Sequence, residues 1–238
     1  GRLATWQIGG IETRSYGRDL NGNITSITTG GLTKHYGYDA IDRLVSEPGQ
    51  AFSWEGNGNR LSDAAGSYGY QAASNRMTFS PAGSVGLDAA GNTTSVGSRS
   101  YTYTDGGRLV QAINGGTVVG TYVYRADGLR AAKTTAGGTT LFHWDVAGNL
   151  LEETNAAGAT STAYAWINFA LVAHWLPGSP ETTTFIHTDH IGTPRIGTTS
   201  IGTVAWHWNG TAFGQGSPTG TVVVNLRFAG QFYDAETG

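Results

Sequence analysis

The chain has 238 residues, a formal net charge of −3, only 13% charged residues and no cysteine. Without cysteine it has no disulfide staple, thiolate metal site or cysteine nucleophile. Without a run of Lys or Arg it lacks the footprint that holds a phosphate backbone, so no nucleic-acid partner is expected. Its 37 glycines against 6 prolines, with aromatics at 11%, predict an all-β chain of short strands and frequent tight turns. No apolar run approaches the roughly 20 residues that a membrane helix needs, so no membrane-spanning segment is expected. The opening Gly1-Arg2-Leu3-Ala4-Thr5 has no signal-peptide core, and with no starting Met the chain reads as a piece of something longer.

In chain order, one phrase recurs: two aromatics spaced by one residue, an acidic or polar residue, a short gap, and Gly-Arg-Leu or Gly-Asn-Leu. A degenerate copy runs from Tyr16 to Asn23-Ile24. Tyr36-Gly37-Tyr38-Asp39 then leads to Arg43-Leu44, Phe52-Ser53-Trp54 to Gly58-Asn59-Arg60-Leu61, and Tyr68-Gly69-Tyr70 to Asn75-Arg76-Met77. Val85-Gly86-Leu87-Asp88 keeps the spacing without the aromatics. Tyr101-Thr102-Tyr103 leads to Gly107-Arg108-Leu109, Tyr122-Val123-Tyr124 to Gly128-Leu129-Arg130, and Phe142-His143-Trp144-Asp145 to Gly148-Asn149-Leu150. From residue 36 the copies step by 16, 16, 17, 16, 21 and 20 residues, the length of one hairpin. Residues i and i+2 of a strand share a face, so both aromatics of a copy point the same way and can stack on those of the next. Asp39 and its equivalents bond their own following backbone, and Gly58, Gly107, Gly128 and Gly148 supply positive φ; Arg108 opens the next strand.

The only His/Asp cluster is His187, Asp189 and His190. On a strand the first two share a face and His190 points away, which is poor metal geometry, so the cluster is read as ending a strand and tethering the Gly192-Thr193-Pro194 turn. Asp39 with Asp42, and Glu152 with Glu153, are read as solvated turn and edge groups, not as paired catalytic carboxylates. No nucleophile elbow, phosphate loop or dinucleotide fingerprint occurs. No enzyme activity, cofactor or metal is therefore expected. Exposed Trp144, Trp166, Trp206 or Trp208 would suit sugar stacking, which keeps a cell-surface adhesive or glycan-binding module as the alternative.

The phrase Tyr-x-Tyr-Asp-x-x-Gly-Arg-Leu resembles the YD repeats of bacterial Rhs proteins, of insecticidal toxin complex shells and of teneurins. Two later segments sharpen the resemblance to the Rhs group: His187-Thr188-Asp189-His190-Ile191-Gly192-Thr193-Pro194-Arg195, and Leu226 to Gly238 with Tyr233 and Asp234 at its centre. The family usually has Pro where Ala229 stands. The resemblance implies stacked hairpins in a curved, spiralling sheet, a segment of a hollow β-shell that encapsulates a C-terminal toxin, secreted or at the bacterial cell surface. Residues 1–183 would form the hairpin array and 184–238 the C-terminal region of the core, in one continuous sheet that stops before the family's self-cleavage segment. Such a band should leave open edges near Leu3 to Ile8 and Val222 to Phe228. The rest of the polypeptide, or further copies edge to edge, would complete them.

Overall fold

A computed structural model describes residues 2–178 and 181–238; Gly1, the first residue of the expected array, lies outside them. Strands recur from Thr5 to Gly220, and the one helical element among the described residues is the 3-10 turn Phe228–Gly230. Within each sheet the strands pair antiparallel with their sequence neighbours, so the fold is all-β and built of hairpins in chain order. Two compact units form, Gly1–Gly97 and Ser98–Gly238.

Strands of the first unit are short. Thr5–Ile8, Glu12–Arg18, Ile24–Thr29 and Leu32–His35 make one sheet, and two three-stranded sheets follow. The breaks fall at Tyr36, Phe52 and Tyr68, the first aromatic of each copy. These residues donate their backbone N–H groups to the carbonyls of Thr25, Val45 and Leu61, each at 2.9 Å.

In the second unit, where the repeat lengthens by about four residues, most strands have more ladder pairs than those of the 16-residue copies. Thr117–Tyr124, Arg130–Thr135, Gly138–Trp144, Leu150–Asn155, Thr160–Ile167, Ala170–Leu176, Thr182–Thr188, Pro194–Thr198 and Val204–His207 pair in that order. Here the first aromatics stay inside the ladder: Tyr122 is 2% exposed and Phe142 5%.

Five residues make the repeat turn in most copies, and six, Gln71 to Arg76, in the copy that opens at Tyr68. The N–H of Asp145 donates to Asn149 (3.0 Å), and that of Gly148 returns to Asp145 (3.2 Å). The fourth residue takes positive φ, 85° at Gly148 and 84° at Gly128, which costs glycine nothing. The first residue caps the turn: Asp39 Oδ1 accepts the N–H groups of Ile41 and Arg43, both at 3.0 Å. Asp145 does the same for Ala147 and Asn149. Those bonds hold the Asp39 carboxyl below its ordinary range, chiefly through the Arg43 N–H. Asp42 occupies the glycine slot of its turn at φ 63° and accepts from the side chains of Asn21 (2.8 Å) and Asn23 (2.6 Å).

Residues 222–228 correct one expectation, because they form no edge strand. They fold over the sheet, with Val224 and Leu226 buried in the core with Phe142, Leu150, Tyr164, Trp206 and Trp208. Fully burying such a side chain stabilises by about 1.5–3 kcal/mol, more than the ~0.5–1.5 kcal/mol net of one ladder hydrogen bond.

Candidate functional site

Five aromatics of the repeat tie their copy to the one before. Tyr38 Oη donates to the Ile24 carbonyl (3.0 Å), Trp54 Nε1 to Leu44 (2.8 Å), Tyr70 Oη to Arg60 (3.0 Å), Trp144 Nε1 to Arg130 (2.7 Å) and Trp166 Nε1 to Leu150 (2.7 Å). Each acceptor lies five residues after the one that opens the preceding turn. Tyr36, Tyr101, Tyr103 and Tyr124 are half-buried. The turn arginines add a second tie: Arg43 Nη1 donates to the Glu55 carbonyl of the next turn (2.7 Å), and Arg108 fills the space that a Cβ at Gly128 would need.

Asp189 caps a turn in the same way, accepting the N–H groups of Ile191 and Thr193 at 3.1 Å each. Its other oxygen takes Arg195 Nε at 2.8 Å, and Gly192 supplies the positive φ of 79°. The Arg195 guanidinium lies over the Trp208 ring, 5.6 Å from its centroid, while Pro194, paired with Thr188, begins the next strand. His187 is half-buried, its Nε2 3.0 Å from Thr198 Oγ1, and burial lowers its pKa. His190 sits on the exposed tip. Among the described residues no group of three His, Cys, Asp or Glu side chains could hold a metal.

The densest charge cluster joins parts of the chain about a hundred residues apart. Arg130 grips Asp234 with two parallel bonds of 2.7 Å, the bidentate geometry that strengthens such pairs. Lys133 reaches Asp234 (3.1 Å) and Glu236 (3.4 Å), and Tyr122 Oη donates to Glu236 (2.9 Å). The Phe232 ring stands edge-on to Phe142 at 5.2 Å, and Arg130 lies over Tyr122, Phe142 and Phe232. Arg99 Nη1 donates to the Thr237 carbonyl (2.5 Å). The Arg227 guanidinium lies over the Tyr233 ring, 3.7 Å from its centroid. The Arg130–Asp234 contact spans too much sequence to be read from spacing.

Two further expectations are corrected. Glu153 is not a solvated edge group: it is 5% exposed, takes the Tyr164 hydroxyl at 2.5 Å, and burial raises its pKa. Its strand turns it into the core, whereas Glu152 on the opposite face accepts from Thr160. Trp206 and Trp208 are each 1% exposed and present no face to a sugar. Trp144 and Trp166 do line a groove of about 350 Å³, together with Tyr124, Leu226 and Phe232.

The RHS Repeat family model matches residues 124–160. Double-stranded DNA deaminase toxin A of Burkholderia cenocepacia (strain H111) is 26% identical over an alignment covering 98% of this chain and 20% of its own length. Among solved structures, the Photorhabdus luminescens Tc holotoxin pore with a mutated TccC3 superposes with a TM-score of 0.73 at 15% identity, over 95% of this chain and 14% of that one. The TcdB2-TccC3-Cdc42 complex gives 0.72 at 15% identity, over 95% and 15%. The chain thus spans about a fifth of the curated relative and about a seventh of the solved chains, with which it shares a fold. Residues 124–160 thus carry an RHS Repeat, and the recurring aromatic pairs and capped turns on either side of it make the chain similar to YD-repeat, Rhs-type proteins.

Proposed function

We propose that this chain is a stretch of wall from a bacterial Rhs shell, itself non-catalytic, that encloses a toxin polypeptide for delivery to another cell. The bonds from Tyr38, Trp54, Tyr70, Trp144 and Trp166 to the preceding copy support the reading. A hairpin held by its neighbour can be repeated at will, as a wall requires. The chain's partners are then the rest of its own polypeptide or further copies edge to edge, and the toxin cargo; its place is outside the producing cell or on its surface. In this reading residues 1–183 are the hairpin array and 184–238 the C-terminal region of the core. Thr5–Ile8 ends its sheet and is one point where further chain would join. The test is protease protection of the cargo in the natural polypeptide that contains this segment. Cargo should resist digestion until Trp144→Ala and Trp166→Ala loosen the wall; equal digestion with the wall intact would sink the idea. The adhesive alternative rests on the groove at Trp144 and Trp166, and saturable binding to a glycan array would favour it.

A further inference from the structure

Arg60 and Arg130 occupy the same slot of the repeat, five residues after the one that opens the turn. In the first unit Arg60 lies over Phe52, Trp54 and Tyr68, and its carboxylate comes from its own hairpin: Asp63, three residues on, at 3.1 Å. In the second unit the residue three on is Lys133. The sign is reversed, and the slot carries two cations beside the same kind of aromatic face. The carboxylates that meet them, Asp234 and Glu236, come from the C-terminal segment. That segment makes its own small fold: Arg227 N–H donates to Gln231, Tyr233 N–H to Asn225 and Thr237 N–H to Asp234. Its last residues meet the sheet through side chains, with Phe232 on Phe142 and two carboxylates on Arg130, Lys133 and Tyr122, and through the Thr237 carbonyl taken by Arg99.

We propose that this face of strands Thr117–Tyr124, Arg130–Thr135 and Gly138–Trp144 is a peptide-recognition site. It reads an aromatic ring followed, two and four residues on, by carboxylates. The chain's own Phe232, Asp234 and Glu236 are the resident ligand, and a peptide of the same chemistry supplied by another molecule takes their place when they are disabled. Specificity comes from the bidentate Arg130 bond and from desolvated charge pairs. The aromatic anchor supplies contact area.

The experiment uses the full chain carrying Asp234→Lys and Glu236→Lys, and a fluorescent, C-terminally amidated peptide of residues 230–238 followed by anisotropy. The variant should bind the peptide at least about tenfold more tightly than the unsubstituted chain, whose site is filled. A peptide with Asn and Gln in place of Asp234 and Glu236 should bind the variant at least about tenfold more weakly, and added salt should weaken the acidic peptide. A folded variant that takes up no peptide, or binds acidic and neutral peptides equally, overturns the proposal. Where the double lysine variant loses its fold, the chain with Asp234→Asn and Glu236→Gln replaces it. The same peptides are then used, and the same results support or overturn the proposal.

Discussion

Arg60 and Arg130 do one job in two ways. Each is an arginine laid over aromatics in the same repeat slot, yet one closes its charge within a single hairpin and the other across 104 residues. The first unit is therefore built of locally complete modules. It buries little, Ile8 and Phe52 being its buried apolar side chains among the described residues. The second unit collects a continuous core beneath its C-terminal segment. A short repeat supplies capped turns and aromatic ties; a longer one adds ladder pairs, and a returning segment adds the hydrophobic core.

The largest way to break this comparison is to remove one acid from each unit. Asp234→Ala takes the bidentate partner from Arg130 and leaves Lys133 only its longer contact with Glu236, both cations being under a fifth exposed, and should destabilise the second unit by about 3–5 kcal/mol. Asp63→Ala takes the carboxylate from one cation, Arg60, where Asp234→Ala takes it from two, so the expected loss is about 1–3 kcal/mol. Urea unfolding with hydrogen exchange resolved by unit measures both. Equal losses would mean that local and distant closure carry the same weight.

A second difference is acid sensitivity. His174, 1% exposed, lies against Tyr164 with ring centroids 5.6 Å apart, and burial pushes its pKa down from 6.5 to about 4. The unfolded chain takes up this proton near 6.5, the folded chain only near 4. The contribution is thus present above pH 6.5 and lost as pH falls from about 6.5 to about 4. The loss reaches ~3 kcal/mol at the bottom of that window. Stability measured from pH 7 to 4 should fall less steeply in His174→Gln. Parallel curves would show that His174 takes no part.

Much of this can be read from residues. The aromatic doublets, the Asp-x-x-Gly turns and the reading of Asp189 as a tether rest on local chemistry, which acts within five residues. The tie from the second aromatic, which stacking alone does not predict, also has a signal in the sequence. Phe stands at first positions 52 and 142, but the second positions are Tyr38, Trp54, Tyr70, Tyr103, Tyr124 and Trp144, each with a polar tip. The fate of Glu153, the burial of Trp206 and Trp208, and the docking of Asp234 are not legible. They depend on which sheet face the returning segment covers, and nothing in the repeat phrase encodes that.

The tie sharpens the comparison because it should be the same in both units. Trp54→Phe and Trp144→Phe each keep an aromatic ring, trim the indole alike and delete one bond, to Leu44 and Arg130 respectively. Each should cost about 1 kcal/mol. A cost confined to Trp144 would mean that the bond matters only where a core surrounds it.

The smallest effect concerns the opposite hairpin ends, where two-residue turns carry positive φ at both positions. The first unit has Gly30-Gly31 at 55° and 80°, and the second has Gly115-Gly116 at 55° and 82°. Between Ile167 and Ala170, however, the same turn is made by Asn168 and Phe169 at 48° and 62°. Asn tolerates this region; a bulky ring pays strain of order 1–3 kcal/mol. Phe169 is 73% exposed, so burial returns little of it. Glycine there removes the strain but loses about 0.5–1 kcal/mol through the greater freedom of the unfolded chain. Phe169→Gly should therefore raise stability by about 0.5–1 kcal/mol, and Gly116→Phe should lower it by a similar amount. Both are read as shifts in urea midpoint at constant slope. A loss on Phe169→Gly would mean that the ring contributes contact energy despite its exposure, and the equivalence of these turns across the two units would then fail.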